Sequence, residues 1–315
     1  MVDKDAVHAH LLDFLKAIPP VEFCCVYGSA LHSTNPDKST MTDYMLGVSD
    51  PLQWHSEITG VADNIGVGVH FNPYVTWNNK MLKYGVVRMN DLIQDILNWE
   101  SLYLSGRLQK PVNMLVDKLD IENVNSVNLR AAVSAALLLL PPKFTEEDLY
   151  AKICSLSYMG DLRMLFAEDR NKVKKIVRGQ FDLFRTMYKT FLLEYEDKDF
   201  LRFSSSTNQL ANISQDCGLA VTCSHVSSLP PSIRSRMGIK KEKMEVISKS
   251  GEVDNRLGFG SRKEAAQCMQ KVLRRTVRVS SARQAISGVL TVGGVTAARY
   301  LSNKMCKAWR SWTLK

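Results

Sequence analysis

Two patterns near the start of the chain carry the residue types that chemistry on phosphates needs. Val21 to Tyr27, V-E-F-C-C-V-Y, is followed at once by Gly28-Ser29. An apolar, β-branched run of this length suits a buried strand. A Gly-Ser directly behind it is where backbone can come close to a phosphate. The second pattern is a strand-like run, Tyr44 to Val48, bracketed by Asp43 and Asp50. Between the two, His32 to Thr42 is polar and rich in turn residues, and reads as a loop. Taken alone, a strand ending in Gly-Ser is also simply a tight turn.

Strand, Gly-Ser, loop and a strand led by aspartate resembles the arrangement of polymerase-β-type nucleotidyltransferases. The resemblance implies Gly28 and Ser29 against a triphosphate and carboxylates of the next strand on magnesium. Attack on an α-phosphate builds charge on bridging oxygens, which metal ions neutralise. The sequence departs from the superfamily's Asp-x-Asp, which sets two carboxylates on one face of a strand. Met45 stands two positions after Asp43. Asp50 lies an odd number of residues on and needs a turn at Ser49-Asp50-Pro51 to re-aim it, Pro51 biasing Asp50 out of the helical region. Asp43 is thus the expected leading ligand and Asp50 the second.

The 315 residues suffice for one large domain or two ordinary ones, and 45% hydrophobic with 23% charged residues is a globular composition. The net charge of +9 is uneven: residues 1–200 hold 21 Lys+Arg against 26 Asp+Glu, residues 201–315 hold 20 against 6. The last third is therefore expected to meet nucleic acid or an anionic membrane. The seven cysteines include no C-x-x-C, which argues against zinc and a disulfide framework and fits a reducing compartment. The N-terminus, with two early aspartates and no arginine, reads as a poor transit peptide.

Further elements follow from periodicity. Residues 5–16 read as a short amphipathic helix stopped by Pro19-Pro20. G-V-G-V-H-F-N-P-Y-V-T-W reads as a strand bulged at Pro73, and M-L-K-Y-G-V-V-R-M pairs with it across Asn78-Asn79. Asp91 to Leu104 reads as one helix, Leu129 to Leu140 as a buried one, and Thr145 with Asp148 as a capping box. Val173 to Glu194 reads as a single long helix, and 203–262 mostly as linker, with a short ordered stretch near Val226–Met237. Lys83, Arg107 and Lys110 read locally as solvated cations, with phosphate contact the alternative. From Lys271 to Lys315 there are ten Lys or Arg and no acid. Ala297, Leu301, Met305, Ala308 and Trp312 recur at helical spacing, so the segment suits a helix lying in a membrane interface, against the plainer reading of a helix packed on its own domain.

In order, Y-G-S-A, D-Y-M-L-G-V-S-D-P with W-H soon after, G-V-G-V-H-F-N, K-Y-G-V, L-I-Q-D-I-L-N-W…L-Y-L-S-G-R-L-Q-K-P-V and S-L-S-Y-M-G-D-L-R-M resemble the mitochondrial phosphatidate cytidylyltransferases of the translocator assembly and maintenance family, a plant member being the expected source. The resemblance covers about residues 20–195 and the character of the tail. It implies an α+β chain: a nucleotidyltransferase domain over 1–115, a helical winged-helix-like domain over 116–200, a linker over 201–270 and a basic amphipathic helix over 271–315. It implies transfer of CMP from CTP to phosphatidic acid with magnesium, peripherally on the matrix side of the mitochondrial inner membrane. The product feeds phosphatidylglycerol and cardiolipin synthesis, and no nucleic acid is expected as partner. In that scheme Gly28, Ser29 and Lys83 face the nucleotide, and Asp43 and Lys83 are catalytic. Asp43 and Asp50 hold magnesium, and Arg107, Lys110 and Arg163 face phosphatidate.

One departure bears on activity. Family members carry an extra segment, with a His-Tyr-Ser, between the W-H and the G-V-G-V strand, whereas here only His55-Ser56-Glu57 precedes Ile58-Thr59-Gly60. A nucleotidyltransferase-fold scaffold without activity and an RNA nucleotidyltransferase with a basic arm are therefore the alternatives.

Overall fold

The expected first strand is β1 (Phe23–Tyr27), and all five of its residues are buried. Its run of apolar residues is unbroken because both of its faces are covered. This computed structural model describes residues 11–28, 31, 41–55, 68–78, 80–161, 164, 171–204, 212–239 and 259–292. β1 pairs antiparallel with β2 (Thr42–Val48), which runs parallel to β4 (Lys80–Arg88). β4 forms a hairpin with β3 (Val69–Trp77), whose register shifts between Asn72 and Val75, the bulge that Pro73 demands. β5 (Asn113–Asp117) closes the other edge, giving the order β3-β4-β2-β1-β5.

One face of this sheet carries Cys24, Val26, Tyr44 and Leu46 beneath Phe14 and Trp54, the latter from α1 (Pro51–His55). The other carries Phe23, Cys25, Tyr27 and Met45 beneath α2 (Met89–Asn98), α3 (Ser105–Leu108) and the start of α4 (Ile121–Leu139). Burial pushes the Cys25 thiol up to about 12 and the Cys24 thiol higher still, so neither is a nucleophile at neutral pH.

The helix expected to Leu104 ends at Asn98 instead. Trp99 and Leu102 both adopt left-handed backbone, φ 54° each, and the chain wraps around Asp95. That carboxylate accepts from the backbone N–H groups of Ser101, Leu102, Leu104 and Ser105, at 2.7–3.0 Å, and from both serine hydroxyls. These bonds satisfy the free N–H groups ahead of α3, which sequence periodicity cannot reveal.

A second layer follows. α4 packs with α5 (Glu146–Leu156), α6 (Lys172–Gly179) and α7 (Phe181–Asp197) around the stacked rings of Tyr150, Phe184 and Tyr188. The capping box of Thr145 and Asp148 forms as expected. The single helix expected over Val173–Glu194 is instead two, because Gln180 leaves helical geometry at φ −137°. The break turns Phe181 and Phe184 onto Tyr150. A three-stranded antiparallel sheet, β6 (Lys143–Thr145), β8 (Asn212–Gln215) and β7 (Leu201–Phe203) in that order, packs beside these helices.

The linker expectation is also corrected. β8 and α8 (Leu219–Ser227) are ordered where linker was expected, α9 (Pro231–Arg236) lies in the ordered stretch expected near Val226–Met237, and residues 240–258 lie outside the described set. Gln215 explains part of this: its Nε2 donates to the carbonyls of Leu137, Leu140 and Pro141 at the end of α4. The basic helix begins before Lys271, as α10 (Arg262–Val292), and sinks Ala265, Met269, Leu273 and Val277 into the helical core. For this part the plainer reading, a helix packed on its own domain, holds. The stripe from Ala297 to Trp312 lies outside the described residues. Among the described residues no helix is long and apolar enough to cross a membrane.

Candidate active site

The sheet brings three residues into one row. Asp43 on β2 is in register with Tyr27 on β1 and with Lys83 on β4. Residues in register on neighbouring strands share a face, so all three side chains stand on the side of α2 and α3. Gly28, one residue past Tyr27, has φ +93°, and a Cβ there would lie 2.9 Å from Asp43 Oδ2. Only glycine lets the backbone turn beside that carboxylate. Ser29, expected beside it, lies outside the described residues.

Arg107 reaches this row from α3. Its guanidinium carbon sits 3.7 Å from the centroid of the Tyr27 ring and 6.0 Å from that of Tyr103. Burial opposes the Arg107 charge, but Tyr27, Tyr103, Tyr158 and Asp43 around it outweigh that and hold it protonated. Burial likewise pushes the Tyr27 phenol well up, against the pull of Arg107, so it stays a neutral donor. Tyr27 Oη and Arg107 Nε are both buried without a hydrogen-bond partner. Two buried donors left open beside each other fit the oxygens of an anion, since an unmet buried donor costs about 1–3 kcal/mol.

Lys83 and Lys110 extend the cationic surface on aromatic supports. Lys83 Nζ lies 4.4 Å from the Phe71 ring centroid, and Phe71 meets Tyr103 edge-on. Lys110 Nζ donates to the Gly106 carbonyl and to Ser157 Oγ, 5.0 Å from the Tyr158 ring centroid. The local reading of these three as solvated cations flanking a strand and a helix end is therefore corrected: each is held on an aromatic ring supplied by another element or turn. Arg163 lies outside the described residues.

The turn carrying Arg107 is fixed from below. Asn128 Nδ2 donates to the Ser105 carbonyl, Asn125 Nδ2 to that of Leu108, and Tyr188 Oη to that of Gln109. Asn128 Oδ1 in turn accepts from Trp99 Nε1 at 2.7 Å and Gln109 Nε2 at 2.9 Å. Apart from Gln109 Oε1, which is buried without a partner, the side chains of this network are hydrogen-bonded, and such a network rigidifies what it touches. Sequence reasoning missed Tyr27, Tyr103, Tyr158, Asp95 and Asn128. Tyr27's place directly before Gly28 was the one available signal.

Asp50 is not brought to Asp43. It stands at the other end of β2, seven residues on and so roughly 23 Å away along an extended chain. Its Oδ1 accepts from Leu52 N at 2.8 Å and Gln53 N at 3.3 Å, capping α1 with Pro51 as the first helical residue. The expectation of Asp50 as second metal ligand fails on that geometry. Among the described residues no three His, Cys, Asp or Glu gather as a metal site. Asp43 still fits magnesium, which commonly takes one or two carboxylates and completes its shell with waters and substrate phosphate oxygens.

The family described as mitochondrial phosphatidate cytidylyltransferase matches residues 11–58 and 56–307. The break falls where the sequence suggests a missing segment. Relatives of that name include those of Bos taurus, 31% identical over 92% of this chain and 91% of its own, and Mus musculus, 31% identical over 91% and 88%. That of Schizosaccharomyces pombe is 28% identical over 91% and 80%. A nucleotidyltransferase-like protein from Exiguobacterium sibiricum 255-15, solved by crystallography, aligns over 93% of this chain and 79% of its own at 10% identity, with a TM-score of 0.26 that carries no argument. A match that runs nearly from end to end places the chain: it belongs to the mitochondrial phosphatidate cytidylyltransferase family.

Proposed function

We propose that this chain transfers CMP from CTP to phosphatidate, forming CDP-diacylglycerol and pyrophosphate for mitochondrial phosphatidylglycerol and cardiolipin synthesis. The observation that carries the reading is Asp43 against Gly28, with the open donors Tyr27 Oη and Arg107 Nε beside them, in a chain of this family.

The chemistry asks little of a base. The phosphomonoester of phosphatidate, with a second pKa of about 6, is already largely dianionic at neutral pH. Its oxygen attacks the α-phosphorus of CTP, the bond to the bridging α–β oxygen breaks, and pyrophosphate leaves with the electron pair. Gly28 lets backbone approach the triphosphate. Lys83 and Arg107 offset the charge that gathers on the leaving phosphates, the largest contribution expected in such a site. Lys110 is left for the incoming phosphate. Magnesium would be held at Asp43 and would supply further charge neutralisation on the triphosphate.

Attachment to the matrix face of the inner membrane is part of the same reading, supported by the exposed Lys271, Arg274, Arg275 and Arg278 along α10 and the basic residues beyond it. Turnover of CTP on phosphatidate-containing vesicles with magnesium is the direct test. CDP-diacylglycerol from the parent and none from Asp43→Ala is the expected result.

The break in the family match at residues 56–58 favours a second reading, a chain that keeps the fold but has lost turnover. Activity that appears only when a family-type segment is inserted after Ser56 would establish it. Transfer of nucleotides to RNA in place of phosphatidate would overturn both.

A further inference from the structure

Two anionic substrates must meet in this site, and each needs cations of its own. Asp43, Gly28, Tyr27, Lys83 and Arg107 form one group around the end of β1. A second group lies beyond Arg107, where Tyr158 follows α5. Its ring is flanked by Lys110 Nζ at 5.0 Å and by Lys172 Nζ at 5.1 Å from the centroid. The two lysines come from different layers. Lys110 follows α3 under the sheet, and Lys172 opens α6 of the helical unit.

The field of both ammonium groups converges. Buried Cys154, on the inner side of α5, has its thiol raised by burial, while Lys110 and Lys172 together pull it down. Tyr158 also adds to the electrostatic field that holds the Arg107 charge, which connects this group to the first. Lys110 is anchored by Ser157 Oγ at 2.8 Å, so its position is fixed.

We infer that Lys110, Lys172 and the Tyr158 ring form the acceptor subsite, a clamp for the phosphomonoester headgroup of the lipid, with Lys172 the residue that sets preference for a monoester over a diester. This rests on the proposed reaction and deepens it. A dianionic monoester presents three terminal oxygens and satisfies two ammonium groups, whereas a phosphodiester presents two and carries one charge. Because the clamp draws on both layers, it closes only when the helical unit is docked on the sheet.

The test is binding of dihexanoyl phosphatidate to the full chain by titration calorimetry, with CTP, glycerol 3-phosphate and dihexanoyl phosphatidylglycerol titrated separately. The parent is expected to bind phosphatidate more tightly than the diester lipid. Lys172→Gln should weaken phosphatidate binding at least about tenfold, the loss of one charge-assisted contact. Its CTP affinity should be unchanged, and Lys172→Arg should restore most of the lipid affinity. Glycerol 3-phosphate bound as tightly as phosphatidate would mean that the clamp reads any soluble phosphomonoester, and would overturn its assignment to the lipid. Parent-like phosphatidate binding by Lys172→Gln, equal loss of CTP binding, or no preference for the monoester in the parent would each overturn the clamp. Binding is read without turnover. An inactive parent that still shows the Lys172-dependent preference therefore counts against the reaction and for the subsite.

Discussion

Arg107 sits over the Tyr27 ring, its guanidinium carbon 3.7 Å from the ring centroid, and each of the two keeps a buried donor without a partner. The pair is supplied by β1 and α3, 80 positions apart in sequence, and it faces Asp43. Stacking needs the planar guanidinium, not merely a positive charge. Arg107→Lys is therefore expected to keep the fold and lose about 100-fold in kcat/KM for CTP, the equivalent of roughly 2.7 kcal/mol of charge-assisted contact. Steady-state kinetics beside a thermal melt checks it. A lysine variant as active as the parent would show that only the charge matters.

Asp95 holds the turn that delivers Arg107. Four backbone N–H groups and two hydroxyls converge on a carboxylate that is 4% exposed. Asp95→Asn replaces an acceptor oxygen by an NH2 that faces donors, so it should cost about 2–4 kcal/mol of unfolding free energy. The urea midpoint should fall accordingly. An unchanged midpoint would mean that the left-handed turns at Trp99 and Leu102 stand without the carboxylate.

How much of this was readable depends on distance along the chain. β1, Gly28 and the leading Asp43 are local patterns, and the strand parity that separated Asp50 from Asp43 was sound. The capping role of Asp50 was readable too, as an Asp-Pro at a helix start. The cradle was not, because Lys83, Arg107 and Lys110 look like ordinary surface cations until Phe71, Tyr27 and Tyr158 arrive beneath them from other elements. The break at Gly179-Gln180 was hidden by apolar residues that keep helical spacing across it. β8 is too short to have a period at all, whereas α9 lies in the ordered stretch expected near Val226–Met237.

Acid should loosen the helical unit. Arg130, then Lys198, hydrogen-bond Glu194 and hold its carboxyl at about 2. Burial alone would raise Glu146, but hydrogen bonds from Arg185 and Tyr150 outweigh it and leave its pKa below the ordinary value. Both groups have folded pKa values depressed below an unfolded value near 4.3. Their contribution is therefore complete above about pH 4.5 and is lost as pH falls towards the folded values. Urea midpoints measured from pH 6 down to 3 should decline, and Glu146→Gln with Glu194→Gln should flatten part of that decline. The Glu194 share is expected to be at most about 1 kcal/mol, because its side chain is partly exposed. A double variant with the parent's pH slope would remove these two carboxylates as the cause.

Gly160 tests the seam between the Tyr158 turn and α10. Its φ is +83°, and a Cβ there would stand 2.8 Å from the carbonyl oxygen of Arg274. Alanine thus meets two penalties, a left-handed backbone and a clash with main chain that cannot rotate away. Gly160→Ala is expected to cost about 1–3 kcal/mol and to push α10 off the turn. Limited proteolysis should then open α10 earlier than the sheet. If the seam also positions the Tyr158 ring, phosphatidate affinity should fall with it while CTP affinity holds. Loss of both together would mean that the whole site, and not its lipid side, leans on this contact.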